Sequence, residues 1–336
     1  MYRIKQQPED FVVEEIMELK KSESGKYAYF LLEKKGQTTE EAVQRVSKSS
    51  GIPRKLISYA GAKDKEAVTR QFICVPSEYR NKISLPEQGH GDERIGLGSN
   101  TGNRFTIVVR GLDSDVAAGK PTQVPNYFDE QRFSADNADI GLAIIKGDFG
   151  KATALLATHE GRYEQEMKRF LGEQPGNHVG ALQIIPKKTL LLFVHAYQSR
   201  IWNRAAAAHL KTTSNAGREI TYSEGTLFFP YEKREQEQIA LPGFESELEG
   251  EAAGSCGMLV QAELDHDEVS LRDFIVRQMP ELTCSGDVRD LFVEPADFSA
   301  SEPQDDELNP GKKKITISFS LPKGSYATMV VKALFA

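Results

Sequence analysis

The feature that most constrains the fold is a change of pattern along the chain. Alternating apolar and polar residues predict strands at 11–19, 27–32, 67–75 and 104–110, and again near the C-terminus at 314–321. The residues between these two groups show helical spacing instead. Because isolated strands need partners, we expect both ends of the chain to share one sheet, with the middle grafted into that domain.

The middle of the chain also differs in charge. Helical patterns are predicted at 137–145, 151–158 and 190–210, and within 265–279. Residues 123–293 carry a net charge of −9, whereas residues 1–122 carry +3 and residues 294–336 carry −1. The sequence therefore predicts an α+β protein with a discontinuous domain (1–122 and 294–336) and a helix-rich insertion (123–293).

Shorter signals refine this outline. Thr38 and Glu41 form the pattern of a capping box, which predicts a helix ending near Gly51. Ser24-Gly25, between the first two strands, suggests a hairpin-like return. A closing helix is predicted at 324–335, and 299–312 is predicted to be an exposed loop or hairpin.

Several classes of protein are disfavoured. No apolar run is long enough to span a membrane, and the polar start lacks the apolar core of a secretory signal. The three separate cysteines (Cys74, Cys256, Cys284) suit a reducing cytoplasm, and the scattered histidines give little support to a metal site. The glycines at 96, 98 and 102 lead into a strand instead of a helix, so they do not match a dinucleotide-binding loop. Phosphate-loop and GxSxG motifs are absent.

Three segments contain residues suited to chemistry or binding. In residues 61–71 (GAKDKEAVTRQ), Lys63 and Lys65 flank Asp64, and the two cations would keep its carboxylate ionised, although such a triplet is commonly a solvated turn. Asn103 and Phe105 are suited to reading and stacking on a base, or to a turn and a core. Residues 125–133 (PNYFDEQRF) would line an RNA groove or form a domain junction. Candidates for a basic face, which charge alone does not favour over ordinary solvated charges, are Lys63, Lys65, Arg70, Arg104 and Arg110.

Together with residues 8–15 (PEDFVVEE) and 321–328 (LPKGSYAT), these segments resemble, in the same order, the TruD family of tRNA pseudouridine synthases. The resemblance covers nearly the whole chain. It implies a pseudouridine synthase-like catalytic domain with a mixed, largely antiparallel sheet, interrupted by a TruD-type insertion. The implied reaction isomerises uridine in tRNA, commonly uridine 13 of the D-arm, by breaking the N1–C1′ bond and forming a C5–C1′ bond. It needs no cofactor and no metal, and we expect a cytoplasmic enzyme, with a monomer favoured.

The resemblance also implies roles for individual residues. Asp64 is the catalytic aspartate, which either attacks the ribose or assists cleavage through a glycal. The implied substrate contacts are Phe11, Asn103 and Tyr326, where the family often has Phe at the last position, with Phe105 as a packing or stacking partner. Our hypothesis is that Lys63 keeps Asp64 ionised, with Lys65 or Arg70 as the alternative. The net charge of −9 argues against an RNA-binding outer face on the insertion. We therefore expect RNA contacts to concentrate on the catalytic domain and at its junction with the insertion, with Arg132, Arg200 and Arg204 as candidates.

The sequence leaves three other classes of function to weigh. A non-catalytic RNA-binding protein would keep the fold but has no need of the carboxylate between two lysines. A cofactor-dependent enzyme, such as an RNA methyltransferase, is disfavoured because the glycine pattern is in the wrong context. A metabolic enzyme acting on a small molecule is disfavoured because the sequence offers no phosphate-binding or metal-binding motif.

Overall fold

The chain forms two compact units. The computed structural model describes residues 2–113, 118–134, 136–250 and 254–336. Unit 1 consists of Met1–Val124 and Val293–Ala336, and unit 2 is Pro125–Phe292. The domain boundaries predicted from sequence lie within two residues of these limits.

The secondary structure of the described residues follows the predicted change from strands to helices and back. In chain order the strands are β1 (Phe11–Ile16), β2 (Tyr27–Lys35), β3 (Ser58–Tyr59), β4 (Val68–Pro76), β5 (Glu87–Gly91), β6 (Gly102–Leu112), β7 (Val124–Pro125), β8 (Gly217–Tyr222), β9 (Gly225–Pro230), β10 (Gln238–Leu241), β11 (Asp287–Asp290), β12 (Phe292–Val293), β13 (Ala296–Ala300), β14 (Gln304–Asp305) and β15 (Lys313–Pro322). The α-helices are α1 (Thr39–Ser50), α2 (Glu130–Phe133), α3 (Asn137–Ile145), α4 (Phe149–Leu156), α5 (Arg162–Glu173), α6 (His178–Leu182), α7 (Lys187–Thr213), α8 (Gly254–His266) and α9 (Ala327–Phe335).

Unit 1 is organised around one sheet with the order β13-β15-β6-β1-β4-β2-β5, in which β14 also pairs with β15 and β3 with β4. Among the described strands of this sheet, β1 and β4 pair in parallel and the other pairs are antiparallel. The two ends of the chain meet where β15 pairs with β6, for example at Ile317 and Ile107. The predicted α+β class with a mixed, largely antiparallel sheet is confirmed.

Helix α1 covers part of this sheet, and its start follows from the predicted capping box. The backbone N–H of Glu41 donates to Thr38 Oγ1 (3.2 Å), and the Glu41 carboxylate accepts from the Thr38 N–H (2.7 Å). The helix ends at Gly51, whose φ of +67° suits glycine. Its apolar side packs on β2 and β4 in a cluster that includes Val43 and Ile73.

The hairpin predicted at Ser24-Gly25 is wrong, because β1 and β2 do not pair with each other. Strand β4 lies between them, parallel to β1 and antiparallel to β2. Residues at the centre of β4 are fully buried, including Ile73 and Val75. Placing β4 between β1 and β2 buries its apolar residues, and this gain outweighs the local preference for a tight turn at Ser24-Gly25.

Unit 2 is built around α7, which is buried along most of its length. Trp202 lies at its centre and donates from its indole N–H to the carbonyl of Ile239 (3.1 Å). Among the described residues, no helix combines the length and apolar character needed to cross a membrane.

The helix predicted within 265–279 is wrong over most of its range. Helix α8 ends at His266, and only the 3-10 turn Leu271–Phe274 follows. Glu268 has a φ of +53°, which no helix tolerates. Ser270 and Asp273 then cap the short turn, so the chain restarts there instead of continuing α8.

A buried ion-pair cluster joins distant parts of unit 1. Arg110 on β6 is 2% exposed; its guanidinium lies 2.8 Å from the carboxylate of Asp10 and 2.9 Å from that of Asp306. Asp306 also accepts the backbone N–H of Gly111 (2.9 Å). Burial raises the pKa of Asp306, but hydrogen bonds from the Gly111 N–H, the Asn309 side chain, the Leu308 N–H and Arg110 outweigh it and bring the pKa to about 2. The hairpin predicted within 299–312 is confirmed by the antiparallel pairing of β14 with β15, but Asp306 within it is buried. Arg110 is also buried, so its prediction as part of a basic face is wrong.

We expect Arg110→Met to destabilise unit 1 by about 3–5 kcal/mol, because two carboxylates would stay buried without their cation. Urea denaturation monitored by circular dichroism measures this loss. The matched control is Arg80→Met, which breaks an ion pair with Glu87 that is largely exposed, and it should change stability by less than about 1 kcal/mol. Equal effects of the two substitutions would contradict a structural role for the cluster.

Candidate active site

The candidate site lies on one face of the unit 1 sheet. Residues directly opposite each other on paired strands point to the same face, and neighbours along a strand point to opposite faces. The register therefore groups several polar and aromatic side chains, which we call the site face: Phe11 and Glu15 on β1, Lys34 on β2, Gln71 on β4, and Asn103 and Phe105 on β6.

The loop that carries Asp64 is held by buried side chains from α1 and β4. Thr39 Oγ1 accepts the backbone N–H of Lys63 (2.9 Å) and donates to Gln71 Oε1 (2.9 Å). The Gln71 amide in turn donates to the carbonyl of Gly61 (3.0 Å). Thr39 and Gln71 are almost inaccessible to solvent, so these hydrogen bonds are shielded from water and fix the loop backbone.

A buried lysine supplies a third support. The ammonium of Lys34, which is 2% exposed, donates to the main-chain carbonyl of Asp64 (2.5 Å). Burial lowers the pKa of Lys34, and the nearby charge of Asp64 offsets part of that effect. The loop is therefore anchored at the main chain of Asp64 itself, as well as at Gly61 and Lys63.

The Asp64 side chain is partly exposed and has a cation as its partner. One carboxylate oxygen pairs with the ammonium of Lys5, and the other accepts the backbone N–H of Glu66 (3.0 Å). Lys5 also lies over the ring of Phe11, 4.5 Å from its centroid. The φ of Lys5 is +55°, a conformation that costs a non-glycine residue about 1–2 kcal/mol and marks a position held in place by its surroundings.

Our hypothesis for Lys63 is corrected by this geometry. Its ammonium lies 2.8 Å from Glu15 Oε1 and donates to Asn103 Oδ1 (2.7 Å). The cation that pairs with Asp64 is Lys5. Lys63 is directed to the site face because the buried Glu15 carboxylate needs a cation there.

The two alternative cations lie outside the cluster. Arg70 points to the face opposite Gln71 and pairs with Glu14 (2.9 Å) and Glu33 (2.8 Å). Lys65 is exposed, and its side chain forms no hydrogen bond or ion pair within the described part of the chain. Neither therefore supports the Asp64 carboxylate directly.

Of the three aromatic residues predicted at the site, Phe11 and Phe105 pack together in the core and Tyr326 lies apart from them. The rings of Phe11 and Phe105 meet edge to face at 6.1 Å, and Phe105 also packs on Phe319 at 5.7 Å. With 7% exposure, Phe105 acts in packing. Tyr326 is half-buried and precedes α9, just beyond the end of β15, where Leu321 pairs with Asn103.

In unit 2, the segment 125–133 belongs to the core. Its aromatic residues, Tyr127, Phe128 and Phe133, are buried, and the rings of the first two meet Trp202 of α7 at 6.2 and 5.8 Å. This favours the structural interpretation of the segment over an RNA groove.

The arginines predicted to bind RNA are already engaged. Arg200 is buried and pairs with Asp139 (2.7 Å) and Glu224 (3.5 Å), so its prediction as an RNA contact is wrong. Arg204 faces Glu263 and Asp267 at 3.7 and 4.0 Å. Arg132 donates to Ser199 Oγ (3.3 Å).

Unit 2 contains a group of side chains of the types that bind metals. His209, Glu237 and Cys256 place their ligand atoms within 4.8 Å of one another. The imidazole and the carboxylate already pair with each other at 3.0 Å, which accounts for their proximity without an ion.

Sequence reasoning missed Lys5, Glu15 and Lys34. Lys5 lies six residues before Phe11 in a polar segment, and only the fold brings it to Asp64. Glu15 and Lys34 carried a signal in the alternation, because each charge falls on the buried side of its strand. A charge in that position needs a buried partner, which in both cases is the Asp64 loop.

Comparisons with known proteins identify the family of the chain. The family model of tRNA pseudouridine synthase D (TruD) matches residues 2–169, 156–239 and 221–334. A tRNA pseudouridine synthase D of Aquifex aeolicus is 31% identical over 99% of this chain and 98% of its own. A Methanococcus maripaludis relative, named "Probable tRNA pseudouridine synthase D 1", is 30% identical over 99% of both chains. The crystal structure of a Methanosarcina mazei protein named for TruD has a TM-score of 0.70 and 26% identity, covering 98% of this chain and 92% of that one.

These matches, together with the fold, define an RNA-modifying isomerase. The chain belongs to the TruD family of tRNA pseudouridine synthases. Its activity is the isomerisation of uridine to pseudouridine in tRNA.

We expect Thr39→Val to lower kcat about 10- to 100-fold, because it removes the hydroxyl that fixes the loop backbone and leaves two buried polar groups without partners. Single-turnover kinetics on a tRNA substrate measure the change. Thr39→Ser keeps the hydroxyl and should restore most of the activity. A stable Thr39→Val protein with wild-type kcat would show that the loop does not depend on this contact.

Proposed function

We propose that Asp64 is the nucleophile of the reaction and that the substrate is uridine 13 in the D-arm of tRNA. The observation that carries the proposal is an aspartate carboxylate that is partly exposed, paired with one cation and mounted on a loop braced by buried hydrogen bonds. Rigid placement of this kind is what a reaction at a single ribose carbon requires.

The proposed step begins with attack of an Asp64 oxygen on C1′ of the ribose. The N1–C1′ bond breaks and its electron pair leaves with the uracil. The uracil then turns and C5 attacks C1′, which releases the carboxylate. The hydrogen on C5 is lost to solvent, and N1 takes up a proton. A carboxylate suits this chemistry because positive charge develops at the anomeric carbon as the glycosidic bond breaks.

The surroundings of Asp64 fit a base taken out of its stack. Lys5 pairs with the carboxylate and lies over the ring of Phe11, and Asn103 offers a polar amide on the same face of the sheet as Phe11. Tyr326, near the end of β15, supplies an aromatic ring for stacking. Enzymes that act on a base within RNA extrude it and hold it between such groups.

Further parts of the proposal come from the family. Choice of the D-arm and of position 13 rests on the resemblance in the motifs and not on a contact. We propose that the reaction proceeds without a cofactor, in the cytoplasm.

We expect wild-type protein to release tritium from tRNA transcripts labelled at uridine C5, with no cofactor added, because C5 loses its hydrogen. Asp64→Ala should abolish release, and Asp64→Asn should reduce it at least 1,000-fold, roughly the loss that follows removal of a nucleophile. Transcripts with position 13 changed to cytidine test the proposed site. Release from those transcripts at the wild-type rate would place the target elsewhere.

The same assay separates the proposal from its rivals. A primary deuterium isotope effect at C2′ would favour the glycal route over attack at C1′, because only that route breaks the C2′–H bond in the step. RNA binding without tritium release, across a pool of transcripts, would favour a non-catalytic binding protein.

We expect Lys5→Met to lower kcat about 10- to 100-fold, because Asp64 loses a charge-assisted hydrogen bond worth about 1.5–3 kcal/mol that orients its carboxylate. Tritium release measures the effect. Lys20→Met, which removes an exposed lysine paired with Glu93, is the matched control and should stay within about twofold of wild type. Similar losses in both variants would assign the effect to overall charge.

A further inference from the structure

Lys63 bridges two residues that lie directly opposite each other on neighbouring strands. Glu15 on β1 pairs in register with Asn103 on β6. The Lys63 ammonium lies 2.8 Å from Glu15 Oε1 and 2.7 Å from Asn103 Oδ1. The other Glu15 oxygen accepts the backbone N–H of Phe72 (3.0 Å). The side chains of Glu15 and Lys63 are 0% and 8% exposed, so this arrangement is fixed within the protein.

The bridge determines which way the Asn103 amide faces. An ammonium group can only donate hydrogen bonds. It is therefore compatible with one orientation of the amide, in which the oxygen faces Lys63 and the NH₂ group points away from it. Within the described residues, Asn103 Nδ2 donates no hydrogen bond to another protein group, and Asn103 is not fully buried. A donor of fixed direction therefore remains available next to the loop of Asp64.

We propose that Lys63 determines base specificity by holding Asn103 as a hydrogen-bond donor to the O4 carbonyl of the target uracil. This inference rests on the proposed function, in which Asn103 contacts the base. Uracil presents a carbonyl acceptor at position 4, whereas cytosine presents an amino donor there. With the amide orientation fixed, the 4-amino group of cytosine would face the NH₂ group of Asn103, and neither can accept a hydrogen bond. Asn103 could not rotate its amide to present the oxygen instead.

The same donor suits both ends of the reaction. Uracil carries carbonyl groups on C2 and C4, on either side of N3. Rotation about the axis through N3 and C6 exchanges N1 with C5 and C2 with C4. A donor that binds O4 before the rotation therefore meets O2 after it, and the base keeps one hydrogen bond in substrate and product.

Glu15 explains why Lys63 serves Asn103 instead of the adjacent Asp64. A buried carboxylate without a cation is costly, so Glu15 retains the ammonium on the site face. Lys5 then pairs with Asp64. Two lysines thus have separate tasks: one orients the carboxylate, and the other orients the amide.

The test uses Asn103→Asp, which has nearly the same shape, keeps the contact with Lys63 and replaces the donor with an acceptor. Binding is measured in the Asp64→Asn background, so that no turnover occurs, with tRNA transcripts carrying U or C at the position where tritium release locates the reaction. We expect the preference for U over C to fall about 10- to 100-fold, and to approach or pass equality. An unchanged preference would overturn the inference.

A second pair of variants tests Lys63 itself. Lys63→Met should lower the preference for U about tenfold, whereas Lys65→Met removes an equal charge from the same loop and should leave the ratio within about twofold. Since Lys63→Met strands the Glu15 charge, the double variant Glu15→Gln/Lys63→Met is measured alongside, with thermal denaturation to check folding. Equal falls in the ratio for Lys63→Met and Lys65→Met would reduce the effect to charge and overturn the role of Lys63.

Failure of this inference differs from failure of the proposed function. If Asp64→Ala abolishes tritium release but Asn103→Asp leaves the U/C ratio unchanged, the catalytic proposal stands and the specificity proposal falls. If Asp64→Ala retains tritium release, the catalytic proposal falls whatever the ratio shows.

Discussion

The buried cluster around Arg110 is the interaction on which unit 1 depends. It joins Asp10, immediately before β1, to Asp306 in the returning end of the chain. These carboxylates lie 296 residues apart in sequence and would repel each other without the guanidinium. Beside the cluster, Arg3 and Arg110 form two backbone hydrogen bonds, which place the segment that leads to Lys5. The position of the Asp64 partner is therefore linked to the closure of the domain.

The alternation of the sheet assigns charged residues to two different uses. On the site face, Glu15 and Lys34 are buried. Glu15 pairs with Lys63, and Lys34 donates to the main-chain carbonyl of Asp64. On the opposite face, Glu14 and Arg70 form a half-exposed pair. A shift of one residue in the register would exchange these sets. Because a buried charge without its partner costs several kcal/mol, the site residues also help to specify the register.

The support of Asp64 shows a division between backbone and side chain. Thr39, Gln71 and Lys34 hold the loop backbone from inside the protein. Lys5 and a backbone N–H hold the carboxylate where it is partly open to solvent. Such a site is organised before substrate arrives, so little of the binding energy is spent on ordering the protein.

The sequence by itself determined the class of fold, the division of the chain and the candidate catalytic aspartate. The class of fold and the division of the chain reside in alternation, spacing and charge, which depend on residues close together in the chain. The aspartate is indicated by the resemblance of motifs along the whole chain to the TruD family. The capping box at Thr38 and the start of α1 are determined in the same local way. Only the tertiary structure decided that β4 separates β1 from β2, that Lys5 and not Lys63 pairs with Asp64, and that Arg200 is buried. Each of these depends on which distant groups share a low-dielectric interior, and a cation goes to the carboxylate whose burial would otherwise cost most.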